Sequence, residues 1–490
     1  MPHRQTSDAG RVPAQIALLK RLFSPRAGGG ASLSARDASI GSAVRLAAEV
    51  VIRASAIVAT LIVTRSLGVE GFGAFVLALS FGLMVAELAD LGINALTVPL
   101  VVRSGRNLGV LLRLKAGMTA LVILCGSFVL APVARWLDVT PLLLALATAH
   151  FVGASWVDLI GSALRAKGRR GEEAILLCSF RLLLLVLVLV FPASRGAVGA
   201  AFAYAASSAL GVCLAAALLA RDRELPSPQA PPLALREILR LALPLGANGY
   251  LAILSTRVEI LLLLQTFGSA ALVGLWSGAL RIIESLLTLP AAIAAGALPA
   301  LSRDAVSRSR GAAQRTLGAV VWIGTPAAAG LALRAPEILS VLGPGFDAGA
   351  PALRILAIAL LLCFTNTALF HMLIAAEQTA VIPRLTALRV AVAGLLGLPL
   401  IPAFGLVGAA LSFTLAELAL CAMLAQQCRT LTEVEILRPV RWAGAACAPM
   451  VLLLFLAPWP LLWSVLASVV LFGFMALTIL ARGSEAGGLA

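Results

Sequence analysis

The sequence predicts an all-α integral membrane protein of about 14 transmembrane helices, arranged as two parallel six-helix lobes plus two C-terminal helices. Three observations predict this fold: long apolar stretches, loops that alternate between arginine-rich and arginine-poor, and an internal repeat. Apolar residues make up 60% of the 490 residues, and the mean hydropathy is +1.00. Since about 20 apolar residues in a helix span a bilayer, the chain has room for many spans.

The predicted spans follow one another from residue 43 to residue 481. Each is a run of mainly apolar residues long enough to cross the hydrocarbon core, so each predicts one helix. In chain order they are 43–65, 74–100, 116–134, 142–164, 174–191, 198–220, 239–267, 271–298, 317–333, 352–376, 385–402, 406–426, 442–456 and 461–481.

Basic residues alternate between the loops that join these spans. Up to residue 270, the loops on one side carry only Arg65, Arg135 and Arg195. The later loops follow the pattern less clearly, with Arg334 and Arg354 on that side against Arg384, Arg429, Arg438 and Arg441 on the other. By the positive-inside rule the opposite, basic loops are cytoplasmic, and an even number of spans then places both termini inside. The net charge of +15 is thus explained by topology, and no nucleic-acid partner is expected. The basic loops carry Arg103, Arg106, Arg113 and Lys115; Arg165, Lys167, Arg169 and Arg170; Arg221, Arg223, Arg236 and Arg240; and Arg303, Arg308, Arg310 and Arg315.

Residues 1–42 form a basic segment without the continuous apolar core of a signal peptide, so we expect a flexible cytoplasmic tail. The seven cysteines fall in or at the ends of predicted spans without metal-ligand spacing, which indicates packing residues.

No external loop is long enough for a folded catalytic domain, and the phosphate-loop, HExxH and GxSxG patterns are missing. The sequence therefore favours transport over catalysis, with no metal or cofactor.

The internal repeat joins GAVGAAFAY (196–204) to GLVGAALSF (405–413), where five of the first six positions are identical. A weaker similarity joins the region of Gly68 to that of Gly268. Six spans separate the copies, and an even number preserves orientation, so the halves are predicted to be parallel repeats. The alternative is a chance similarity between alanine-rich spans. The predicted division is a tail (1–42), a first lobe (43–220), a linker (221–238), a second lobe (239–428), and two helices with a short cytoplasmic tail (429–490).

Ionisable residues within the spans are the candidate functional groups, because each costs about 2.5 to 3.5 kcal/mol at a helix centre on insertion scales. A cavity or a charged partner is therefore expected beside each. Arg53, Arg257 and Arg281 lie deepest and favour an anionic cargo, since the guanidinium fork matches phosphate oxygens. The full set is Arg45, Glu49, Arg53, Glu87, Asp90, Asp158, Arg181, Arg257, Glu259, Arg281, Glu284 and Glu417.

Two segments resemble motifs of a known family. Residues 64–75 (TRSLGVEGFGAF), followed by Asp90-Leu91-Gly92, resemble the R-x-L-G-x-E-x-F/Y-G and D-L-G segments of O-antigen-type polysaccharide flippases. These flippases belong to the polysaccharide transporter family of the multidrug/oligosaccharidyl-lipid/polysaccharide exporter superfamily. The basic segment 164–169 and the segment 342–351 resemble further parts of that family. Val69 stands where the family often has proline, which leaves the turn plausible.

The resemblance implies alternating access of two lobes around a cationic cavity in the bacterial inner membrane. The implied cargo is an undecaprenyl-diphosphate-linked glycan, moved from the cytoplasmic to the outer leaflet for surface polysaccharide synthesis. Arg53, Arg257, Arg281 and Arg181 are the expected substrate-binding residues, although Arg181 could instead only anchor its helix. Glu49, Asp90, Asp158 and Glu284 are the candidates for proton or sodium coupling, or for pairing within the cavity. Membrane lipids, a polysaccharide polymerase and chain-length machinery are the implied partners.

Two alternatives share the predicted architecture. A lipid II flippase would be essential for growth. A cation-coupled multidrug exporter would favour carboxylates in its cavity, and its loss would sensitise cells to cationic dyes.

Overall fold

A computed structural model describes residues 35–103, 107–191, 196–221, 233–301, 306–432 and 437–456, with residues 460, 467 and 470–473. Within these ranges all regular secondary structure is helical, with no strand. Eleven helical segments there are long and apolar enough to cross a membrane, and shorter apolar helices accompany them. The predicted all-α membrane fold is confirmed. Residues 1–34 of the predicted tail and nearly all of the predicted span 461–481 lie outside the described residues.

The described part of the chain forms 16 α-helices and two short 3₁₀ segments, Phe346–Gly349 and Thr379–Val381. The α-helices are α1 (Ala35–Asp90), α2 (Ile93–Arg103), α3 (Asn107–Trp136), α4 (Pro141–Ala166), α5 (Arg170–Val190), α6 (Gly196–Ala220), α7 (Leu235–Leu254), α8 (Val258–Phe267), α9 (Ala270–Leu286), α10 (Thr288–Leu301), α11 (Val306–Leu333), α12 (Ala335–Ser340), α13 (Ala350–Ala375), α14 (Ile382–Phe404), α15 (Leu406–Thr432) and α16 (Leu437–Leu456).

Helix α1 contains the first predicted span and most of the second. Gly68 interrupts it with φ 64° and ψ −174°, a backbone conformation that side chains with a Cβ rarely adopt. The chain therefore reverses direction at Gly68, as the predicted turn requires. At the far end of α1, Leu91 and Gly92 have positive φ and separate α1 from α2.

Two predicted spans of the second lobe are each divided into two helices in the structure. Span 239–267 is interrupted between α7 and α8, where the hydroxyls of Ser255 and Thr256 donate to backbone carbonyls three residues back. Span 271–298 is interrupted at Leu287, between the similarly bonded Ser285 and Thr288. Such side-chain bonds compete with the regular helix ladder. Paired hydroxyl residues thus accompany both breaks, which hydropathy does not reveal.

Glycines with positive φ recur at about the repeat distance found in the sequence. Gly68 and Gly268, 200 residues apart, both have positive φ, at 64° and 59°. Gly196 and Gly405, 209 residues apart, have φ of 69° and 58°, and each begins a copy of the repeated sequence. Positive-φ glycines thus occupy corresponding positions in the two halves, which supports the parallel repeat.

The two lobes meet through backbone atoms at the end of the helices that holds Arg65 and Arg135, called here the Arg-poor end. A Cβ added to Gly73 would lie 1.8 Å from the carbonyl oxygen of Ala270. A Cβ added to Gly274 would lie 2.0 Å from the carbonyl oxygen of Val69. The contact is reciprocal, because Ala270 and Gly274 each follow their first-lobe counterparts, Val69 and Gly73, by 201 residues. Small residues at helix interfaces permit such close approach in membranes.

A second lobe-to-lobe contact lies toward the opposite, Arg-rich end, which holds Arg103 and Arg221. A Cβ added to Gly92 would lie 2.5 Å from the backbone nitrogen of Gly246 on α7. About one turn along α7, a Cβ added to Gly249 would lie 2.0 Å from Oε1 of Glu87. Glycines therefore allow the end of α1 to pack closely against α7.

We expect Gly73→Val to weaken the lobe contact, because its Cβ meets backbone atoms that cannot rotate away. Overpacking costs about 1 to 3 kcal/mol, so the melting temperature of the purified protein should fall. Gly117→Val is the matched control, since a Cβ at Gly117 meets nothing within 4 Å. Equal melting temperatures for the two variants would show that the backbone contact does not support the fold.

Candidate functional site

A cavity of about 450 Å³ lies between α1 of the first lobe and α9 of the second. Its charged lining residues are Arg53, Arg281 and Glu284, and the remainder is apolar or carries hydroxyls. We call it the interlobe cavity. It is open along α1, where the lining residue Ile57 is 49% exposed. The lining residues are Arg53, Ala56, Ile57, Thr60, Leu61, Arg281, Ile282, Glu284, Ser285, Thr288, Ile338, Val341 and Leu342.

The two cavity arginines lie at similar depth in the two lobes. Arg53 precedes the Gly68 turn by 15 residues, and Arg281 follows the Gly268 turn by 13. At about 1.5 Å per residue, each lies roughly 20 Å along its helix from the Arg-poor end. The repeat thus brings two predicted substrate-binding residues to one cavity from opposite sides.

Glu284 pairs with Arg281 across one helical turn, with Oε2 3.2 Å from Nη1. The Arg281 side chain is still 44% exposed, so its remaining N–H groups face accessible volume. Three charges of both signs therefore share this cavity, with arginine in excess.

The other two predicted arginines lie outside the lining of the interlobe cavity. Arg257 immediately precedes α8 and is within electrostatic reach of Glu284 and Arg281. Its Nε is buried, with no hydrogen-bond partner among the described residues. Arg181 on α5 has its guanidinium carbon 5.1 Å from the centroid of the Phe180 ring.

The predicted carboxylates are dispersed. Glu284 is in the interlobe cavity, whereas Asp158 on α4 is exposed within electrostatic reach of Arg181. Asp90 is buried in an ion pair inside the first lobe. The side chain of Glu49 lies outside the described residues.

Lys115 corrects the sequence interpretation, which placed it in a basic cytoplasmic loop. It belongs to α3, is only 1% exposed, and forms an ion pair with Asp90 inside the first lobe. Its Nζ also donates to Ser155 Oγ at 2.5 Å and to Asn94 Oδ1 at 3.3 Å. The Asp90 carboxylate supplies the counter-charge that makes this burial possible.

A second buried ion pair joins Arg389 of α14 to Glu417 of α15, with Nε 2.6 Å from Oε1. Asn366 of α13 donates to the other carboxylate oxygen at 2.7 Å. Arg389 also donates to the Ser255 carbonyl, and its guanidinium carbon lies 4.9 Å from the centroid of the Phe413 ring. Arg389 is not among the residues singled out from the sequence, although it is the sole charged residue of the predicted span 385–402.

This pair borders a cavity of about 300 Å³ in the second lobe, which we call the second cavity. Glu284 lines both cavities, so they share a wall on α9. The second cavity is lined by Ala252, Ser255, Thr256, Leu280, Ile283, Glu284, Leu287, Cys363, Asn366, Thr367, Phe370, Thr386, Arg389, Phe413, Glu417 and Leu420.

Residues 41–304, more than half of the chain, match the model of a family described as polysaccharide biosynthesis protein. Among proteins with curated descriptions, none matches the chain in sequence.

Solved structures share the fold. The lipid II flippase MurJ in an inward closed conformation has a TM-score of 0.73 and 11% identity, covering 91% of this chain and 99% of that one. An inward-facing multidrug resistance MATE family transporter of the MOP superfamily has a TM-score of 0.58 and 17% identity, covering 77% and 95%. The MATE multidrug transporter DinF-BH has a TM-score of 0.57 and 17% identity, covering 82% and 96%. At these identities the similarity shows the fold alone.

We expect Asp90→Ala to destabilise the protein by about 3 to 5 kcal/mol, because it leaves the Lys115 ammonium buried without its partner. The double variant Asp90→Leu/Lys115→Met should recover most of this loss, since no buried charge remains. Thermal unfolding of the purified variants measures both effects. A double variant as unstable as Asp90→Ala would contradict the ion-pair explanation.

Proposed function

Because the chain belongs to the polysaccharide biosynthesis protein family, we propose that it is a flippase of lipid-linked glycans. Its substrate is an undecaprenyl-diphosphate-linked oligosaccharide or polysaccharide repeat unit, which it moves from the cytoplasmic to the outer leaflet of the bacterial inner membrane. The observation that carries this proposal is the interlobe cavity, where Arg53 and Arg281 come from different lobes.

The diphosphate is the part of the substrate that these arginines suit. Guanidinium groups keep their charge and bind phosphate oxygens through paired N–H donors. A diphosphate has oxygens on two phosphorus atoms, so it can engage both arginines at once. A bound diphosphate then links the two lobes, and its affinity changes when the distance between the lobes changes.

The open side of the cavity suits the polyprenyl chain. Its lining there is apolar, with Ala56, Ile57 and Leu61 on α1. The chain remains in the lipid while the diphosphate and sugars enter between α1 and α9. This arrangement avoids transferring a long hydrocarbon through a polar passage.

Alternating access is the proposed transport step, with the Arg-rich end facing the cytoplasm and both termini inside. Rocking of the lobes opens the glycine contacts at one end and then the other. Glu284 and Asp158 are the proposed sites for a coupling proton or sodium ion, whereas pairing with Lys115 explains Asp90 without coupling. Glu49 stays a candidate from its sequence position. A polysaccharide polymerase and chain-length machinery are the proposed partners that take the product.

A lipid II flippase is the second candidate, since its cargo also joins a polyprenyl diphosphate to sugars. It is favoured by the fold similarity to MurJ, which extends over 99% of that chain. The headgroup chemistry at Arg53 and Arg281 is the same for both cargoes. The accumulating lipid and the effect of the deletion on growth separate them.

Deletion of the gene should abolish surface polysaccharide while lipid-linked repeat units accumulate on the cytoplasmic side, because the transport step is blocked. Surface glycan, lipid-linked intermediates and sensitivity to cationic dyes should be measured in the same strain. Normal glycan with increased dye sensitivity would identify a drug exporter instead. Growth arrest with accumulated lipid II would identify the second candidate.

In the deletion strain, plasmid-borne Arg281→Ala or Arg53→Ala should restore little surface glycan. A hydrogen bond to a charged group contributes about 1.5 to 3 kcal/mol, so substrate affinity should fall roughly 10- to 100-fold. Arg135→Ala, an exposed arginine outside both cavities, is the matched control. Full restoration by Arg281→Ala at wild-type protein level would remove Arg281 from the site.

A further inference from the structure

We propose that the second cavity binds one sugar ring of the lipid-linked glycan, the ring nearest the diphosphate. This inference rests on the proposed function and assigns a glycan subsite to the second lobe. Its lining includes the polar residues Thr256, Asn366, Thr367, Thr386 and Arg389.

The position of the second cavity matches the order of groups in the substrate. Glu284 lines both cavities, and Arg281 lies one helical turn before it on α9. A diphosphate held at Arg281 therefore places the sugar attached to it beside the shared wall. The hydrocarbon on the other side of the diphosphate points toward the open side along α1.

The size of the second cavity limits its occupant. Its volume of about 300 Å³ is at the lower end of pockets that hold small molecules, which begin near 300 Å³. A single monosaccharide unit is therefore the matching ligand, and further sugars of a repeat unit would extend into the interlobe cavity.

The lining offers the mixture of donors and acceptors that sugar hydroxyls require. Thr256, Thr367 and Thr386 donate their hydroxyl protons to backbone carbonyls of their own helices or the adjoining turn. Each hydroxyl oxygen keeps lone pairs with which to accept a hydrogen bond. Arg389 uses two N–H groups, toward Glu417 and the Ser255 carbonyl, and its other N–H groups can donate to a ligand.

Two further features suit a sugar ring. Phe370 lines the same cavity and provides aromatic surface for the apolar C–H face of the ring. Arg389 and Glu417 are 4% and 6% exposed, and the hydrogen bond between them fixes both side chains before a ligand arrives. The ion pair therefore presents the remaining N–H groups of Arg389 at the cavity in a fixed position.

The test compares the affinity of the full-length purified protein for two kinds of probe. One probe is farnesyl diphosphate, and the others are farnesyl-diphosphate-linked glucose, galactose and N-acetylglucosamine. We expect at least one sugar-bearing probe to bind about tenfold more tightly than farnesyl diphosphate, from one or two added hydrogen bonds.

Variants locate the sugar. The double variant Thr367→Val/Thr386→Val should bind the sugar-bearing probe and farnesyl diphosphate with nearly equal affinity. It removes two acceptor hydroxyls but keeps the shape of the cavity. Thr367→Phe should do the same by filling the cavity. Thr365→Val is the matched control: its hydroxyl donates to the Leu361 carbonyl of the same helix, outside the cavity lining, so it should keep the wild-type ratio.

No preference for any sugar-bearing probe in the wild type, or a preference that survives Thr367→Phe, would overturn the inference. The proposed function would stand in either case if farnesyl diphosphate binds and Arg281→Ala weakens that binding. If farnesyl diphosphate binding does not depend on Arg281, the proposed function and the inference that rests on it both fail.

Discussion

The cost of placing charge in hydrocarbon is the constraint on which the arrangement of this protein depends. Each ionisable side chain near a helix centre costs about 2.5 to 3.5 kcal/mol on insertion scales unless it finds a partner or water. Asp90 and Lys115 meet this requirement by pairing inside the first lobe, and Arg389 and Glu417 do so inside the second. Arg53 and Arg281 line a cavity, where Arg281 also pairs with Glu284. The charges thus separate into one buried ion pair within each lobe and a group of charges, Arg53, Arg281 and Glu284, that lines the space between the lobes.

The two lobes associate through close backbone packing. In a membrane, lipid chains are as apolar as the helices, so close packing replaces the hydrophobic effect as the driving force. Gly73 and Gly274 at one end, and Gly92 and Gly246 at the other, allow backbones to touch. Residues 53–61 of α1 contain no glycine, and the interlobe cavity lies beside them. The same principle therefore explains where the lobes close and where they leave room.

The fold was largely predictable from the sequence, because span length, loop charge and repeated glycine turns are local properties. The helix breaks at Ser255 and Leu287 were not, since the hydropathy of both spans continues through them. Arg53 and Arg281 could be singled out as deep cations, but only tertiary structure shows that they share a cavity. The ion pairs of Lys115 and Arg389 could not be predicted for a related reason. Whether a cation is paired depends on carboxylates distant in the chain.

The reciprocal contact of Val69 and Gly73 with Ala270 and Gly274 has the symmetry of an isologous homodimer interface. Here both halves belong to one polypeptide, so their association is governed by an effective concentration that the connecting chain sets. It does not depend on how much protein the membrane contains. An interface in this situation can be weak enough to open repeatedly, because the separated lobe never diffuses away from its partner.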